Sequence, residues 1–249
     1  MIDIHAHILP MLDDGAESVE DAVIMAELAA ENGVSTIVAT PHSSPYESAK
    51  VTGCEYVYET LKMLQSRIDS ADIPVKLLPG MEVFASDDIV DRLRRKSLLT
   101  INDSRYVLVE FGFREQPYMI DTIIGRLVSA SYIPIIAHPE RYPFVQENPD
   151  ISYDWIYGGC LLQANKGSFF GRFGRRAYET AMTLMRHNVI NAVASDAHGP
   201  FMRTTSLSEI HELISDMFSL EYADILLEKN PQRIVSDKEP LVFEPIPFG

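Results

Sequence analysis

The sequence predicts an α/β fold in which parallel strands are joined by helices. Short apolar runs alternate with amphipathic segments along the 249 residues, which is typical of that class. The runs are almost continuously apolar, as in Ile133-Pro134-Ile135-Ile136-Ala137, and this indicates strands covered on both faces. Seven such repeats, in a length that suits one α/β barrel, favour a barrel, with an open sheet as the alternative.

The individual elements follow from the same pattern. Strands are predicted at residues 2–5, 34–40, 75–82, 106–110, 133–138, 161–165 and 190–195. The first helix is predicted to begin at Ser18, because a serine followed by Glu20 and Asp21 is a typical helix start, and to end at Gly33. Further helices are predicted at residues 54–71, 116–131, 174–188 and 206–218, and the proline-rich tail, 239–249, is predicted to be irregular. With no linker between these elements, residues 1–249 are predicted to form a single domain.

The composition is that of an acidic chain with enough apolar residues, 46%, for a substantial core. Its formal net charge of -15 argues against nucleic acid as a partner, because phosphate backbones bind basic surfaces. The two cysteines, Cys54 and Cys160, form no disulfide framework and suit a reducing cytoplasm. The N-terminus lacks the basic segment of a secretory signal, and no uncharged apolar run approaches the ~18 residues that span a membrane. A cytoplasmic protein without membrane insertion is therefore expected.

Side chains that bind metals follow six of the seven predicted strands. They are His5, His7, His42, Glu82, Glu110, His138, Asp196 and His198. Because the carboxyl ends of the strands in an α/β barrel line one cavity, we expect these side chains to converge. Imidazole with carboxylate suits manganese, iron or zinc, whereas two isolated cysteines exclude a thiolate site. One catalytic ion usually takes three protein ligands, so this set predicts two or three ions, an arrangement typical of phosphoester hydrolysis.

Each of these residues also has an ordinary structural interpretation. His42 and His138 stand beside prolines and, taken alone, are more often loop residues than ligands. Glu82 and Glu110 end apolar runs, where a buried ion pair is the main alternative. Arg141 has a structural alternative of its own, as the partner of Glu140 or of a metal ligand. The hypothesis of a metal site is preferred because such residues recur at so many strand ends.

The motifs that carry these residues resemble one known superfamily. They are His5-Ala6-His7, Thr40-Pro41-His42, Pro79-Gly80-Met81-Glu82, Ala137-His138-Pro139-Glu140-Arg141 and Ala194-Ser195-Asp196-Ala197-His198-Gly199. The set is similar to the PHP (polymerase and histidinol phosphatase) superfamily and, more narrowly, to the manganese-dependent tyrosine-protein phosphatases encoded with bacterial capsule and exopolysaccharide genes. The likeness runs from Met1 to about Arg203, and Lys166 is a departure, standing where that family has a small residue.

The resemblance implies a distorted (β/α)7, TIM-like barrel, the PHP fold, that holds Mn2+, with iron and zinc as alternatives. By this resemblance the ligands fall into three groups: His5, His7, Glu82 and Asp196 for the first ion; Glu82, Glu110 and His138 for the second; Asp14, His42 and His198 for the third. Asp13 competes with Asp14 for the last group, and the sequence alone does not separate them.

The resemblance also implies an activity, that of a protein-tyrosine phosphatase in which a metal-bound hydroxide attacks phosphorus without a phosphoenzyme. Arg141 and Arg203 are the candidate phosphate contacts, since guanidinium matches phosphate oxygens in a bidentate way. The implied partner is a phosphotyrosine-bearing bacterial tyrosine kinase, whose dephosphorylation regulates capsule or exopolysaccharide synthesis. The oligomeric state stays open.

Other functions remain open on the sequence alone. The main alternative is a small-molecule phosphatase of the same superfamily, such as histidinol phosphatase. A nuclease, a metal-dependent amidohydrolase and a metal-stabilised scaffold for a kinase are further candidates. A cysteine-dependent tyrosine phosphatase is excluded, because its Cys-x5-Arg loop would need arginine where Thr60 and Lys166 stand.

Overall fold

The computed structural model describes residues 1–43, 54–115 and 117–248. In these ranges eight strands are present, all paired in parallel: β1 Ile2–Ala6, β2 Thr36–Ala39, β3 Lys76–Pro79, β4 Glu82–Phe84, β5 Tyr106–Glu110, β6 Ile133–Ala137, β7 Leu161–Asn165 and β8 Ala192–Ala194. They form a three-stranded sheet in the order β1-β2-β3 and a five-stranded sheet in the order β4-β5-β6-β7-β8. The predicted α/β class with parallel strands is confirmed.

Backbone hydrogen bonds join the two sheets into a closed ring at the carboxyl ends of the strands. On one side, the amide of Asp196 donates to the carbonyl of His5 at 2.9 Å and ties the segment after β8 to β1. On the other side, the amide of Glu82 donates to the carbonyl of Pro41 at 3.1 Å and ties β4 to the segment after β2. The sheets therefore close as a barrel, the arrangement that the sequence favours over an open sheet.

The third predicted strand, residues 75–82, is two strands instead of one. β3 pairs with β2, whereas β4 pairs with β5 in the other sheet, and Gly80 and Met81 lie between them. A Cβ atom at Gly80 would lie 2.7 Å from Cγ1 of Val38 in β2. The chain thus leaves one sheet and enters the other where only glycine fits. As a consequence, Glu82 begins a strand and does not end one.

Helices pack on the outer face of the strands, with α2 on β3, α4 on β6 and α6 on β7. The α-helices of the described ranges are α1 Val19–Glu31, α2 Cys54–Ser70, α3 Ile89–Arg94, α4 Pro117–Ser129, α5 Pro143–Glu147, α6 Asp150–Tyr157, α7 Lys166–Phe169, α8 Arg175–Arg186, α9 Ser208–Met217, α10 Leu220–Asp224 and α11 Asn230–Val235. A π-helical turn, Ile225–Lys229, joins the last two. None of these helices has both the length and the apolar character that crossing a membrane requires.

The five predicted helices correspond to α1, α2, α4, α8 and α9. α1 begins as predicted, since Oγ of Ser18 accepts a hydrogen bond from the amide of Asp21 at 3.0 Å, and Gly33 follows it with a φ of +75°. Gln116, the predicted first residue of the α4 helix, lies outside the described residues. The helices that were not predicted are eight residues or shorter, too short to show a helical periodicity.

The apolar residues form two buried clusters, one on each face of the strands. Alternate strand residues fill the inside of the barrel, among them Ile4, Val38, Leu108, Ile135 and Ala194. Their neighbours in the sequence pack outward against the helices, which accounts for strands that are apolar on both faces. Residues 239–248 are irregular, as predicted, and Gly249 lies outside the described residues. The single-domain organisation over residues 1–249 stays a prediction.

Candidate metal centre

The predicted metal-binding side chains meet at the carboxyl ends of the strands. They come from β1, β4 and β5 and from the loops after β1, β2, β6 and β8. Their ligand atoms form three groups, each with all atoms within 4.8 Å of one another: His5, His7 and Asp196; His42, Glu82 and Glu110; and His7, Asp14, His42 and His198. His138 adjoins the second group, with Nε2 2.9 Å from Oε1 of Glu82.

His5 and His7 form the first group together with two carboxylates. Their Nε2 atoms lie 3.3 Å apart. Oε2 of Glu82 lies 3.3 Å from Nε2 of His5 and 3.2 Å from Nε2 of His7, and Oδ1 of Asp196 lies 3.5 Å from each. All four side chains are buried. Residues far apart in the sequence thus form one compact set of nitrogen and oxygen atoms inside the barrel.

The other nitrogen of each imidazole fixes its tautomer. Nδ1 of His5 lies 2.7 Å from Oε1 of Gln163, and Nδ1 of His7 lies 2.6 Å from Oδ2 of Asp13. Both oxygens can only accept, so each Nδ1 carries a proton, and Nε2 is the atom that faces Glu82 and offers a lone pair to a metal ion when the ring is neutral. A buried cluster in which every facing atom is an acceptor is costly unless a cation lies among them. The donor set therefore fits a divalent metal ion, with Gln163 and Asp13 orienting its ligands.

The electrostatic field of this cluster favours positive charge. Burial opposes a charge on His7, but the carboxylates of Asp13, Asp196 and Glu82 raise its pKa well above the usual value. Burial likewise opposes a charge on His42, and Glu82 raises the pKa of this imidazole too. Burial instead lowers the pKa of His138 to about 4, so the carboxylates favour a positive charge at His7 and His42 in particular.

Glu82 connects the first group to the second. Its Oε2 also lies 3.0 Å from Nδ1 of His42, while its Oε1 faces His138. Oε2 of Glu110 lies 3.5 Å from Nδ1 of His42, and its Oε1 lies 4.0 Å from Nε2 of His138. Burial and the charge of Glu82 raise the pKa of Glu110 to about 7. Two carboxylates held this close favour a cation between them, and Glu82 has an oxygen for each of two groups.

Asp14 and His198 form the third group with His42. Oδ1 of Asp14 lies 3.5 Å from Nε2 of His42 and 3.4 Å from Nε2 of His198. Nδ1 of His198 lies 3.0 Å from the carbonyl oxygen of Asp196, so it carries the proton and leaves the lone pair on Nε2. His42 presents one nitrogen to this group and the other to Glu82, so it lies between two groups and not in the third alone.

The neighbouring Asp13 has a different position. Its Oδ2 contacts Nδ1 of His7 and accepts a hydrogen bond from the amide of His42 at 3.0 Å, and its Oδ1 accepts one from the amide of Gly15 at 3.0 Å. Both of its oxygens are thus directed at the protein. The structure places Asp14 among the facing ligand atoms and Asp13 behind them, which the sequence did not resolve.

Arg141 and Arg203 converge on one carboxylate at the edge of the metal centre. Nη1 of Arg141 lies 3.2 Å from Oδ2 of Asp196, and Nη2 of Arg203 contacts the same oxygen. The guanidinium of Arg141 lies 4.3 Å from the centroid of the Phe173 ring, and that of Arg203 lies 5.6 Å from it. The two arginine side chains are 19% and 28% exposed, so an anion from solvent can reach them.

Sequence reasoning missed three residues that hold this site. Gln163 orients His5, and the side-chain amide of Asn165 donates to Oδ2 of Asp196. Both lie in β7, the predicted strand whose end carried no His, Glu or Asp, and polar residues spaced by two in a buried strand are the signal that would have found them. Phe173 gave no such signal, because only the fold brings its ring under the arginines.

Three site residues have a left-handed backbone. The φ angles are 38° for His138, 49° for Asp196 and 52° for Arg203. Residues other than glycine rarely adopt this region, at a cost on the order of 1–3 kcal/mol each, and such residues cluster at functional sites. His138 and Asp196 closely follow β6 and β8, and Arg203 lies in the longer loop after β8, so two of the three are positioned at strand ends.

A closed parallel barrel whose open end combines clustered imidazole nitrogens and carboxylate oxygens with two arginines is the architecture of a metal-dependent α/β-barrel enzyme for anionic substrates. The family can be stated more narrowly. The chain belongs to the capsular polysaccharide synthesis family CpsB/CapC, whose family model matches residues 1–236.

Relatives of this chain carry the names of phosphatases. It is 36% identical over 230 residues to the tyrosine-protein phosphatase YwqE of Bacillus subtilis, which is 92% of this chain and 89% of that one. It is 34% identical over 212 residues to the putative tyrosine-protein phosphatase CapC of Staphylococcus aureus, 81% and 80% of the two chains. A solved structure described as YwqE from Bacillus subtilis and CpsB from Streptococcus pneumoniae, unique metal-dependent tyrosine phosphatases, matches with a TM-score of 0.94, at 34% identity, over 100% of both chains. The family resemblance inferred from the motifs is confirmed.

Proposed function

We propose that this chain is a metal-dependent protein-tyrosine phosphatase, a phosphoric monoester hydrolase. The observation that carries the proposal is the buried cluster of imidazole nitrogens and carboxylate oxygens around His5, His7 and Glu82. Arg141 and Arg203 lie beside this cluster. The first part suits cations and the second suits a phosphate group. Phosphotyrosine is proposed as the substrate because relatives over nearly the whole chain are named tyrosine-protein phosphatases.

We assign the ligands to three ions. The proposed sets are His5, His7, Glu82 and Asp196; Glu82, Glu110 and His138; and Asp14, His42 and His198. The contacts of Glu82 with four imidazoles, those of His5, His7, His42 and His138, support its role as a bridge. We propose Mn2+, with iron and zinc as alternatives, since nitrogen and oxygen donors accept each of these and cellular supply decides. The bound ions would supply Lewis acidity and lower the pKa of water from 15.7 to about 7.

The residues of the chain itself bind and orient the phosphate. The four carboxylates among the proposed ligands repel a phosphate dianion when the site is empty, whereas two or three divalent ions reverse the sign of the field. Arg141 and Arg203, already directed at the cluster by Asp196, bind the non-bridging oxygens and stabilise the charge that grows on them. The leaving phenolate, with a pKa near 10, needs little help from a general acid.

A cysteine nucleophile is not supported. Cys160 is buried, and burial raises the pKa of its thiol to about 12. Burial also raises the pKa of Cys54. Because the thiolate is the reactive form, neither residue is prepared for attack at neutral pH. Direct hydrolysis without a phosphoenzyme is therefore the proposed route.

The proposed partner is a phosphotyrosine-bearing bacterial tyrosine kinase in the cytoplasm, and the proposed outcome is regulation of capsule or exopolysaccharide synthesis. The family description supports the link to capsular polysaccharide. The free thiols of Cys54 and Cys160 suit a reducing compartment. Arg141 and Arg203 are partly exposed, which suits a phosphate group presented by another chain.

The test begins with metal-free protein that is reconstituted with Mn2+. Bound metal per chain is measured together with kcat/KM for a phosphotyrosine peptide, a phosphoserine peptide and histidinol phosphate. We expect two or three ions per chain, activity that appears only with metal, and preference for phosphotyrosine. Full activity in protein shown to be metal-free would refute the mechanism, and preference for histidinol phosphate would favour the small-molecule alternative.

Single histidine variants test the ligand assignment. His5→Ala and His7→Ala should each lower metal content and hydrolysis together while the fold is retained. His187→Ala is the matched control, because this imidazole contacts the carbonyl of Ile246 in the C-terminal segment. A double variant of His5 and His7 that keeps full metal content and activity would contradict the assignment.

A further inference from the structure

Lys166 carries an ammonium group into the interior of the protein. The residue is only 9% exposed. Its Nζ donates to the carbonyl of Thr204 and, at 2.5 Å, to the carbonyl of Ser206, with Oγ1 of Thr204 at 3.4 Å as a third acceptor. An ammonium has three hydrogens to donate, and these contacts account for them. Burial lowers the pKa of Lys166 to about 8, so the charged form persists at neutral pH.

The two carbonyls belong to the segment that directly follows Arg203. The carbonyl of Arg203 accepts a hydrogen bond from the amide of His198 at 2.9 Å, which closes the preceding loop. Oγ1 of Thr205 donates to the carbonyl of Met25 in α1 at 2.5 Å. The loop that carries Arg203 is thus held at His198, at α1 and at Lys166.

The segment around Lys166 also contacts the two arginines and the carboxylate that they share. Asn165, the preceding residue, donates to the oxygen of Asp196 that both guanidinium groups contact. Phe173 lies under both guanidinium groups, and its ring packs so closely on Gly167 that a Cβ there would lie 2.8 Å from Cε2. The short turn at the end of β7 therefore contacts the surroundings of both arginines, and Lys166 holds the backbone that follows Arg203.

We propose that Lys166 is a positioning residue for Arg203, holding the backbone of residues 204–206 so that the guanidinium stays directed at the phosphate. The proposal rests on the proposed function, in which Arg203 binds the substrate. The hydrogen bonds of Nζ go to Thr204 and Ser206 and not to a proposed metal ligand. Loss of the ammonium should therefore affect substrate binding and leave metal content unchanged, which separates positioning from a general structural role.

Lys166→Met tests this role, because it keeps the length of the side chain and removes the ammonium. In metal-free protein, hydrogen exchange should become faster in peptides that cover residues 199–207 and stay unchanged in β1. In Mn2+-loaded protein, kcat/KM for the phosphotyrosine peptide should fall about tenfold, mostly through KM. In an Arg203→Gln background, the same change should lower kcat/KM by no more than about twofold, because the group that it positions is already gone.

Several results would overturn the proposal. They are unchanged exchange in the loop, an equal loss of kcat/KM in both backgrounds, or loss of bound metal in Lys166→Met. If the metal-loaded wild-type chain hydrolyses no phosphate monoester, the proposed function fails, while the exchange experiment still decides whether Lys166 holds the loop. If Lys166→Met does not fold, Lys166→Gln, which removes the charge but keeps two N–H donors, is tested in the same way. Lys62→Met, at an exposed position of α2, is the matched control and should change neither readout.

Discussion

Two adjacent aspartates, Asp13 and Asp14, have different roles in the site. Asp14 faces His42 and His198, whereas Asp13 bonds to the far nitrogen of His7 and to two backbone amides. The first position suits a metal ligand, and the second suits a residue that orients a ligand. Both carry the same functional group, so only its direction distinguishes the roles.

Conversion of each aspartate to asparagine should separate these roles. Asp14→Asn should reduce the number of ions bound per chain. Asp13→Asn should keep that number but weaken metal affinity about 10- to 100-fold, because an orienting partner of His7 is impaired. Calorimetric titration of metal-free protein with Mn2+ measures both quantities. Identical titrations for the two variants would contradict the distinction.

Glu140 is a buried carboxyl beside the site that is not a proposed ligand. Its Oε1 accepts hydrogen bonds from Oγ of Ser168 at 2.6 Å and from the amide of Asn165 at 3.0 Å. Its Oε2 has no hydrogen-bond partner among the residues described. Burial raises the pKa of Glu140 to about 7, although these hydrogen bonds oppose the shift. The folded protein therefore holds this proton more tightly than the unfolded chain.

This raised pKa predicts a pH dependence of stability. The contribution of Glu140 is fully present below the unfolded pKa of about 4.3 and is lost as pH rises toward 7, by about 1.4 kcal/mol per pH unit. Glu140→Gln, which cannot ionise, should remove this loss. In urea unfolding with chelator present, its stability relative to the wild type should rise between about pH 5 and pH 7. A difference that does not vary with pH would contradict the argument.

At the scale of elements, the strands and the longer helices could be predicted from the sequence. Continuous apolar runs, amphipathic segments and helix caps are local signals. The break between β3 and β4 was not predictable, since it depends on the distance between Gly80 and Val38, which only the folded chain defines. The ends of β1 and β5 were predicted to carry His5 and Glu110. The role of Gln163 and Asn165 in β7 was not predicted, because side-chain amides are seldom considered part of a metal site.

The break between β3 and β4 predicts that Gly80 cannot be replaced without a loss of stability. Gly80→Ala should destabilise the protein by about 1–3 kcal/mol, because a Cβ at 2.7 Å from Cγ1 of Val38 forces β2 to shift. Gly125→Ala in α4 is the matched control: a Cβ there meets nothing within 4 Å, and alanine should stabilise the helix by up to about 1 kcal/mol. Urea denaturation measures both. Equal effects of the two substitutions would count against the close approach.

At the scale of the whole molecule, the barrel and its cluster of ligands support each other. The parallel barrel was favoured by the repeat pattern, and the convergence of the predicted ligands followed from that geometry, although Glu82 begins β4 and does not end a strand. The allocation of His42 between two groups and the separation of Asp13 from Asp14 depend on loop conformations that no local signal encodes. A resemblance between motifs pointed to the family, whereas the folded structure shows which atoms face each other.

Removal of metal should therefore change the stability of the whole protein. Divalent ions bind the folded cluster far better than the unfolded chain, so Mn2+ at about 100 times its Kd should add about 2.7 kcal/mol to the free energy of unfolding. Differential scanning calorimetry with and without chelator measures this as a shift in Tm. His5→Ala should show a reduced shift. An unchanged Tm on loading would mean that the cluster does not bind the ion.

Glu82 lies where the two sheets meet, and its amide donates to the carbonyl of Pro41 while its carboxylate faces four imidazoles. The same residue thus takes part in closing the barrel and in the proposed metal centre. Loss of bound metal should therefore weaken the join between β4 and the segment after β2 as well as hydrolysis. The supply of metal in the cell would then affect the amount of fully folded protein as well as the activity of each chain.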